Sequence, residues 1–229
     1  MTRKSATSAT SAADAAPVSR REREHQAHRQ EIISVAEAVF SANGFERTTI
    51  EMVAKQADFS VGSIYNFFQG KKDLFHQVFL SVAEQRIQAM HEATAPLLDR
   101  PWEALRAFVG SWIDYSSRHG EFLRTAFSAV ASGGTRNRPR EAPPPEFQRA
   151  FQGYFAELRT VCAAVLKAPD ARKDFTLDEA AVLTEGIVRE FLMAHRHDPK
   201  TGAPLAVLPP DTADKLYDLL CKVFRKEAP

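Results

Sequence analysis

The sequence predicts an all-α fold, and three observations carry that prediction. Large apolar residues recur three or four positions apart along nearly the whole chain, the spacing that lines one face of a helix. No segment alternates apolar and polar residues in the way of a half-buried strand. Between the periodic segments stand helix signals: Ser, Thr or Asp ahead of a run, and Gly or Pro behind it.

Taken in order, residues 1–19 are poor in large apolar side chains and are expected to form a disordered tail. Residues 20–29 are charged and compatible with a helix. Over residues 1–30, Arg3, Lys4, Arg20, Arg21, Arg23 and Arg29 outweigh Asp14, Glu22 and Glu24, so a phosphate-touching arm and a solvated tail both fit. Ile32, Ile33, Ala36 and Phe40 share one face of a first helix, with Asn43-Gly44 as a left-handed stop. Thr48 or Thr49 caps a second, whose inner face is Ile50, Val53, Ala54 and Ala57. After a break at Asp58-Phe59, Ser60 caps a third carrying Val61, Ile64 and Phe68, and Gln69-Gly70 ends it. A fourth spans 71–94, with Phe75, Val78, Phe79, Val82 and Met90 inward.

The rest reads as five further helices, about nine in all. Pro101 opens one that is expected to stop near His119-Gly120, and a shorter one covers 121–131. The Pro- and Arg-rich stretch 135–145 reads as a loop. A long helix is striped by Phe147, Phe151, Tyr154, Phe155, Leu158 and Val161. Thr176 and Glu179 form a capping box for the next, and Pro209-Pro210-Asp211 starts the last. The organisation expected is a helix-turn-helix unit over 20–76 and a regulatory, dimer-forming bundle over 77–229.

Composition excludes several classes of function. The chain has 229 residues, 44% of them apolar and 26% charged, with a formal net charge of +1. It is therefore no polycation, and nucleic-acid binding would have to come from a local surface. Cys162 and Cys221 lie far apart and outside any C-x-x-C pair, which argues against a zinc site or disulfide framework. No apolar run reaches the roughly 20 residues of a membrane span. The N-terminal stretch lacks the apolar core of a secretory leader, so a cytoplasmic protein is expected. Nucleophile elbow, glycine-rich phosphate loop and His-Glu-x-x-His motif are all missing, so neither catalytic residues, cofactor nor metal is expected. His195-x-His197-Asp198 and His25-x-x-His28 read as surface features rather than ligand sets.

Two short helices joined by a tight break behind a supporting helix make a helix-turn-helix layout over 48–68. The second helix of such a unit must be slim and polar outside, to enter the major groove, and apolar inside, to stay anchored. Residues 60–68 meet both demands. Val61, Ile64 and Phe68 anchor, while Gly62, Ser63, Tyr65 and Asn66 lie outside or at the edge. Gly62 allows close approach to the duplex, Thr49, Ser63 and Tyr65 offer hydroxyls for phosphate oxygens, and Lys71 adds a point charge.

The residues Ile33, Ala36, Phe40, Gly44-Phe45, Thr48-Thr49-Ile50, Val53-Ala54, Ala57, Ser60, Gly62-Ser63-Ile64-Tyr65, Phe68, Lys71 and Leu74 closely resemble the N-terminal domain of the TetR/AcrR family of transcriptional regulators. The resemblance implies an all-α homodimer that represses transcription from a double-stranded DNA operator and releases it when a small molecule enters the C-terminal domain. It further implies that Thr48 and Thr49 meet phosphates, that Val61, Ser63 and Asn66 face bases, that Tyr65 contacts backbone and that Lys71 binds phosphate. Ser60 serves as a cap and as a DNA contact. Two positions depart from the family pattern. Asp58 replaces the usual turn Gly, and Phe67 replaces a polar aromatic, so one backbone hydrogen bond is expected to be missing.

For the small-molecule site, the aromatic positions Trp112, Tyr115, Phe127, Phe151, Tyr154 and Phe155 are the candidates, with an apolar or aromatic effector implied. Their helical spacing equally suits core residues. Arg106, Arg124 and Glu185 lie beside these faces as polar candidates, or as surface ion pairs. The last two helices are the expected dimer interface. A reading of a different class remains: a helical carrier or enzyme in which the N-terminal helices only support the fold.

Overall fold

A computed structural model describes residues 19–132, 145–195 and 208–226, without the side chains of 127–132. The expected tail up to residue 18, most of the Pro/Arg-rich stretch, His197, Asp198 and the Phe127 side chain lie outside the described residues. Within them the chain forms α1 (Arg20–Arg47), α2 (Ile50–Gln56), α3 (Val61–Phe67), α4 (Lys71–Thr94), α5 (Pro101–Ser132), α6 (Pro145–Lys167), α7 (Leu177–His195) and α8 (Thr212–Phe224). One turn of 3-10 helix, Ala95–Leu97, follows α4. No strand occurs among the described residues, only an isolated bridge between Ala171 and Arg225.

The ends of the helices follow local chemistry. Ser19 caps α1. Its hydroxyl accepts the Glu22 N–H at 3.2 Å while the Glu22 carboxylate accepts the Ser19 N–H at 2.8 Å, a reciprocal capping box. The helical path of α1 breaks at Gly44, where φ is 75° and ψ is 167°. A left-handed helical stop was expected; this extended, positive-φ conformation is one that only glycine adopts readily. Asp58 has a φ of 57°, so it takes a left-handed turn position, which Asp adopts more readily than most residues. The Thr176–Glu179 box of α7 forms as expected, with the Glu179 N–H donating to the Thr176 hydroxyl at 3.3 Å.

Two expected helices over 101–131 are one. α5 runs unbroken through His119-Gly120 for 32 residues. An interior glycine costs a helix about 1 kcal/mol, but Gly120 is buried and flanked by groups that packing holds in place. His119 pairs with Glu37 of α1, and Phe122 is fully buried. Tertiary burial outweighs the local stop signal.

Two apolar cores result. The first joins α1–α4 and includes Ile32, Phe40, Val53, Ile64, Phe68 and Phe75, together with Tyr115, Phe122 and Ala126 of α5. Aromatic edges knit it: Phe40 and Phe45 each meet Phe75 with ring centroids 4.9 Å apart, and Phe75 meets Phe122 at 5.4 Å. The second fills the space among α4–α8 with Met90, Phe108, Leu158, Val188, Leu216 and Phe224. α4 and α5 contribute to both cores, and α4 carries the chain without a break across the expected boundary at 76/77.

Two stability predictions follow from these features. Phe40→Ala should lower unfolding free energy by about 3–5 kcal/mol in denaturant melts, through lost burial and a cavity. Gly44→Ala should cost about 1–3 kcal/mol purely through backbone strain, since a Cβ there meets nothing within 4 Å.

Candidate nucleic-acid interface and regulatory cluster

α2 and α3 are seven residues each. The Thr49 hydroxyl caps α2 by accepting the Met52 N–H at 3.3 Å. Ser60 caps α3, accepting the Ser63 N–H at 3.0 Å, and its hydroxyl also shares a 2.7 Å hydrogen bond with that of Ser63. Ile64 and Phe68 are buried beneath α3. Val61 is half-buried against the same core, which fits anchoring more than base contact. Gly62, Tyr65 and Asn66 are exposed, Tyr65 by 56%, and Ser63 sits at the edge. The outward face of α3 is thus short, polar and open.

Two expected contacts are placed differently. Thr48 is only 1% exposed, and its hydroxyl donates to the Gly44 carbonyl at 2.8 Å. It ties the end of α1 to the start of α2 and presents no donor to a phosphate; Thr49 keeps the exposed position. The Lys71 ammonium donates to the carbonyls of Phe45 and Glu46 at 2.9 and 3.1 Å and lies 4.7 Å from the Phe45 ring centre. It therefore ties the start of α4 to the end of α1, and any phosphate contact would share an ammonium already engaged twice.

Phe67, expected to lack a backbone contact, packs instead. Its ring centre is 4.5 Å from that of His25, while His28 meets Phe59 edge-on at 5.4 Å. The first turns of α1 therefore lie against the turn and the end of α3, and the two histidines are packing groups on a helix.

The bundle holds a second assembly of functional groups. Arg86 of α4 lies over two rings, its Cζ 3.6 Å from the Tyr154 ring centre and 3.9 Å from that of Trp112, with Tyr115 at 5.5 Å. Glu185 of α7 stands 3.5 Å from its Nη2 and accepts the Tyr154 hydroxyl, which in turn accepts the Trp112 N–H at 3.1 Å. Burial pushes the Tyr115 phenol up to about 12 against the pull of Arg86, and raises Tyr154 further. Both remain neutral hydroxyls at physiological pH.

Of the aromatic candidates, the structure gathers Trp112, Tyr115 and Tyr154. Phe155 is half-buried beside them, and Phe151 is exposed by 62% and packs only along its own helix against Phe155. Arg106 pairs with Asp214 and Arg124 with Glu121 at the surface, whereas Glu185 turns inward. Arg86 was missed, although its signal was present: it continues the buried face of Val78, Val82 and Met90 at four-residue spacing. Beside the cluster, a groove of about 550 Å³ between α4 and α5 is bordered by Gln85, Glu92, Ser111, Asp114, Tyr115 and Arg118.

Comparison with known proteins agrees with this arrangement. The sequence profile described as "Bacterial regulatory proteins, tetR family" matches residues 32–78. The chain is 36% identical over 67 residues to an HTH-type transcriptional regulator, YhgD, of Bacillus subtilis, an alignment spanning 29% of this chain and 35% of that protein. It is 35% identical over 78 residues to the probable acrEF/envCD operon repressor of Escherichia coli K12, spanning 34% and 36%. These matches cover about a third of the relatives' length. In fold the likeness extends further: FadR of Bacillus subtilis, solved in complex with stearoyl-CoA, superposes with a TM-score of 0.61 at 17% identity, over 83% of this chain and 96% of that one. With α1–α4 built as a helix-turn-helix head on an all-helical bundle, residues 32–78 match the profile of the tetR family of bacterial regulatory proteins, and the chain is similar to that family over this head.

Proposed function

We propose that this protein is a dimeric, ligand-responsive transcriptional repressor that reads operator DNA with α3. The observation that carries this reading is the face of α3 itself: Gly62, Tyr65 and Asn66 exposed over a side anchored by Ile64 and Phe68. Such a helix enters the major groove, with Asn66 and Ser63 addressing base edges and Tyr65 and Thr49 the phosphates. The description of the Escherichia coli relative as a probable operon repressor supports the sign of regulation. No helix among the described residues is long and apolar enough to cross a membrane.

A head this small buries little DNA surface, so two copies are needed. α7 and α8 carry exposed apolar residues, Val182, Leu183, Met193 and Leu219, and these would pack against their counterparts across a two-fold axis. The paired heads would then meet half-sites roughly 34–36 Å apart.

The effector would act between the bundle helices, as the stearoyl-CoA complex of FadR suggests by analogy. A route to the head is supported by contacts along α5. Tyr115 faces Arg86 at 5.5 Å and its ring meets His119 at 5.0 Å, while the His119 Nδ1 pairs with Glu37 of α1 at 2.5 Å. A ligand that moves Trp112 and Tyr115 moves the helix that holds α1, and so changes the separation of the two heads.

DNA selected from a random pool by the wild-type protein provides the test. Tyr65→Phe should weaken binding about fivefold on every selected sequence, the loss of one phosphate hydrogen bond. Asn66→Ala should instead relax preference at one base position by about 1–3 kcal/mol. Failure to select any sequence would overturn the reading. Sedimentation should show Leu183→Glu combined with Leu219→Glu to be monomeric, with binding to a two-half-site DNA reduced to that of a single head; a dimer that persists would refute the α7–α8 interface.

A further inference from the structure

We propose that the effector is an organic carboxylate and that Arg86 is the residue that selects it. The proposal rests on the reading of the bundle as an effector domain and deepens it by naming the ligand's chemistry. Arg86 is a charged group in a costly setting: its side chain is 19% exposed, and the buried Nη2 has no hydrogen-bond partner among the described residues. Glu185 neutralises it only at 3.5 Å, beyond a charge-assisted hydrogen bond, because the carboxylate is held by the Tyr154 hydroxyl instead. A guanidinium left this way lacks the acceptors that normally offset burial of a charge.

The geometry restricts what can supply them. The rings of Trp112 and Tyr154 stack on the guanidinium, so an acceptor must approach in its plane, along the N–H edge. A carboxylate matches that edge with two parallel hydrogen bonds, whereas a lone hydroxyl satisfies one donor. Glu185, also 19% exposed, marks where solvent reaches the pair. The arriving carboxylate takes the donors that Glu185 leaves unused, and it also meets the charge of Glu185 as a repulsive neighbour.

The opposite reading is an aromatic cage that accepts an organic cation in place of Arg86, with Glu185 as its counter-ion. The two readings give opposite signs at Glu185, and this decides between them. In a Trp102→Phe background, Trp112 is the sole tryptophan, and its emission reports occupancy without DNA. The probes are 2-naphthoate, 2-naphthylmethanol and naphthylmethyl-trimethylammonium, which share one flat body.

Saturable quenching by naphthoate is expected, with affinity about ten- to a hundredfold above the alcohol. Arg86→Met should remove that preference, bringing acid and alcohol to equal affinity, and Arg86→Lys should restore only part of it. Glu185→Gln should tighten naphthoate. Equal affinity for acid and alcohol, absence of naphthoate binding, or preference for the ammonium probe together with a loss on Glu185→Gln would each overturn the proposal. Circular dichroism and melting of each variant identify any that fails to fold, and for such a variant the probe series on the parent protein still decides. The DNA arm is separate. Naphthoate that binds Trp112 but leaves selected DNA bound would refute the effector reading of the bundle, not the ligand chemistry; protein that selects no DNA yet prefers naphthoate would refute only the repressor reading.

Discussion

A helix of seven residues such as α3 cannot hold its own shape in water, where isolated helices shorter than about 12–15 residues are marginal. Its existence depends on burying Ile64 and Phe68 in a frame built by α1 and α4. That frame is fixed by apolar contact, Phe75 against both Phe40 and Phe45, and by two polar ties at the same corner. The Thr48 hydroxyl and the Lys71 ammonium both end on carbonyls around the close of α1, so the paths into α2 and α4 leave from one point. Residues that resemblance assigns to DNA are here the fittings of the head, which leaves Tyr65, Asn66, Ser63 and Thr49 as its outer surface.

The same frame is not closed without the bundle. Tyr115, Phe122 and Ala126 of α5 complete the core of the head, so one wall of the reading unit belongs to a helix that also lines the second core. Interiors packed to crystal-like density transmit displacement instead of absorbing it. Trp112, Tyr115 and His119 lie at i, i+3 and i+7 on α5, and this single stripe meets Arg86 at one end and Glu37 at the other. Rigid continuity of α5, including the unbroken turn at Gly120, is what joins the two regions mechanically.

Much of this architecture was legible because it is local. The caps at Thr49, Ser60 and Thr176, the turn at Asp58 and the stop at Gly44 each depend on a side chain or a backbone conformation within four residues, and residue types reveal those directly. The inward faces of α1–α4 were equally readable from their spacing. The regulatory cluster was only half legible. Aromatic spacing found Trp112, Tyr115 and Tyr154, but the same pattern also named Phe151, which is exposed, since periodicity marks a face without saying what covers it.

The all-α class, the helix-turn-helix and the exposed polar face of α3 were thus decided by short-range chemistry: apolar periodicity, capping hydroxyls and positive-φ turns. Tertiary structure decided the rest. It carried α5 through Gly120, engaged the Lys71 ammonium on the carbonyls of Phe45 and Glu46, and turned Arg86 inward to face Glu185 from another helix. Each of these outcomes depends on a partner tens of residues away or on burial that outweighs a local preference of about 1 kcal/mol. No window of sequence contains both members of such a pair.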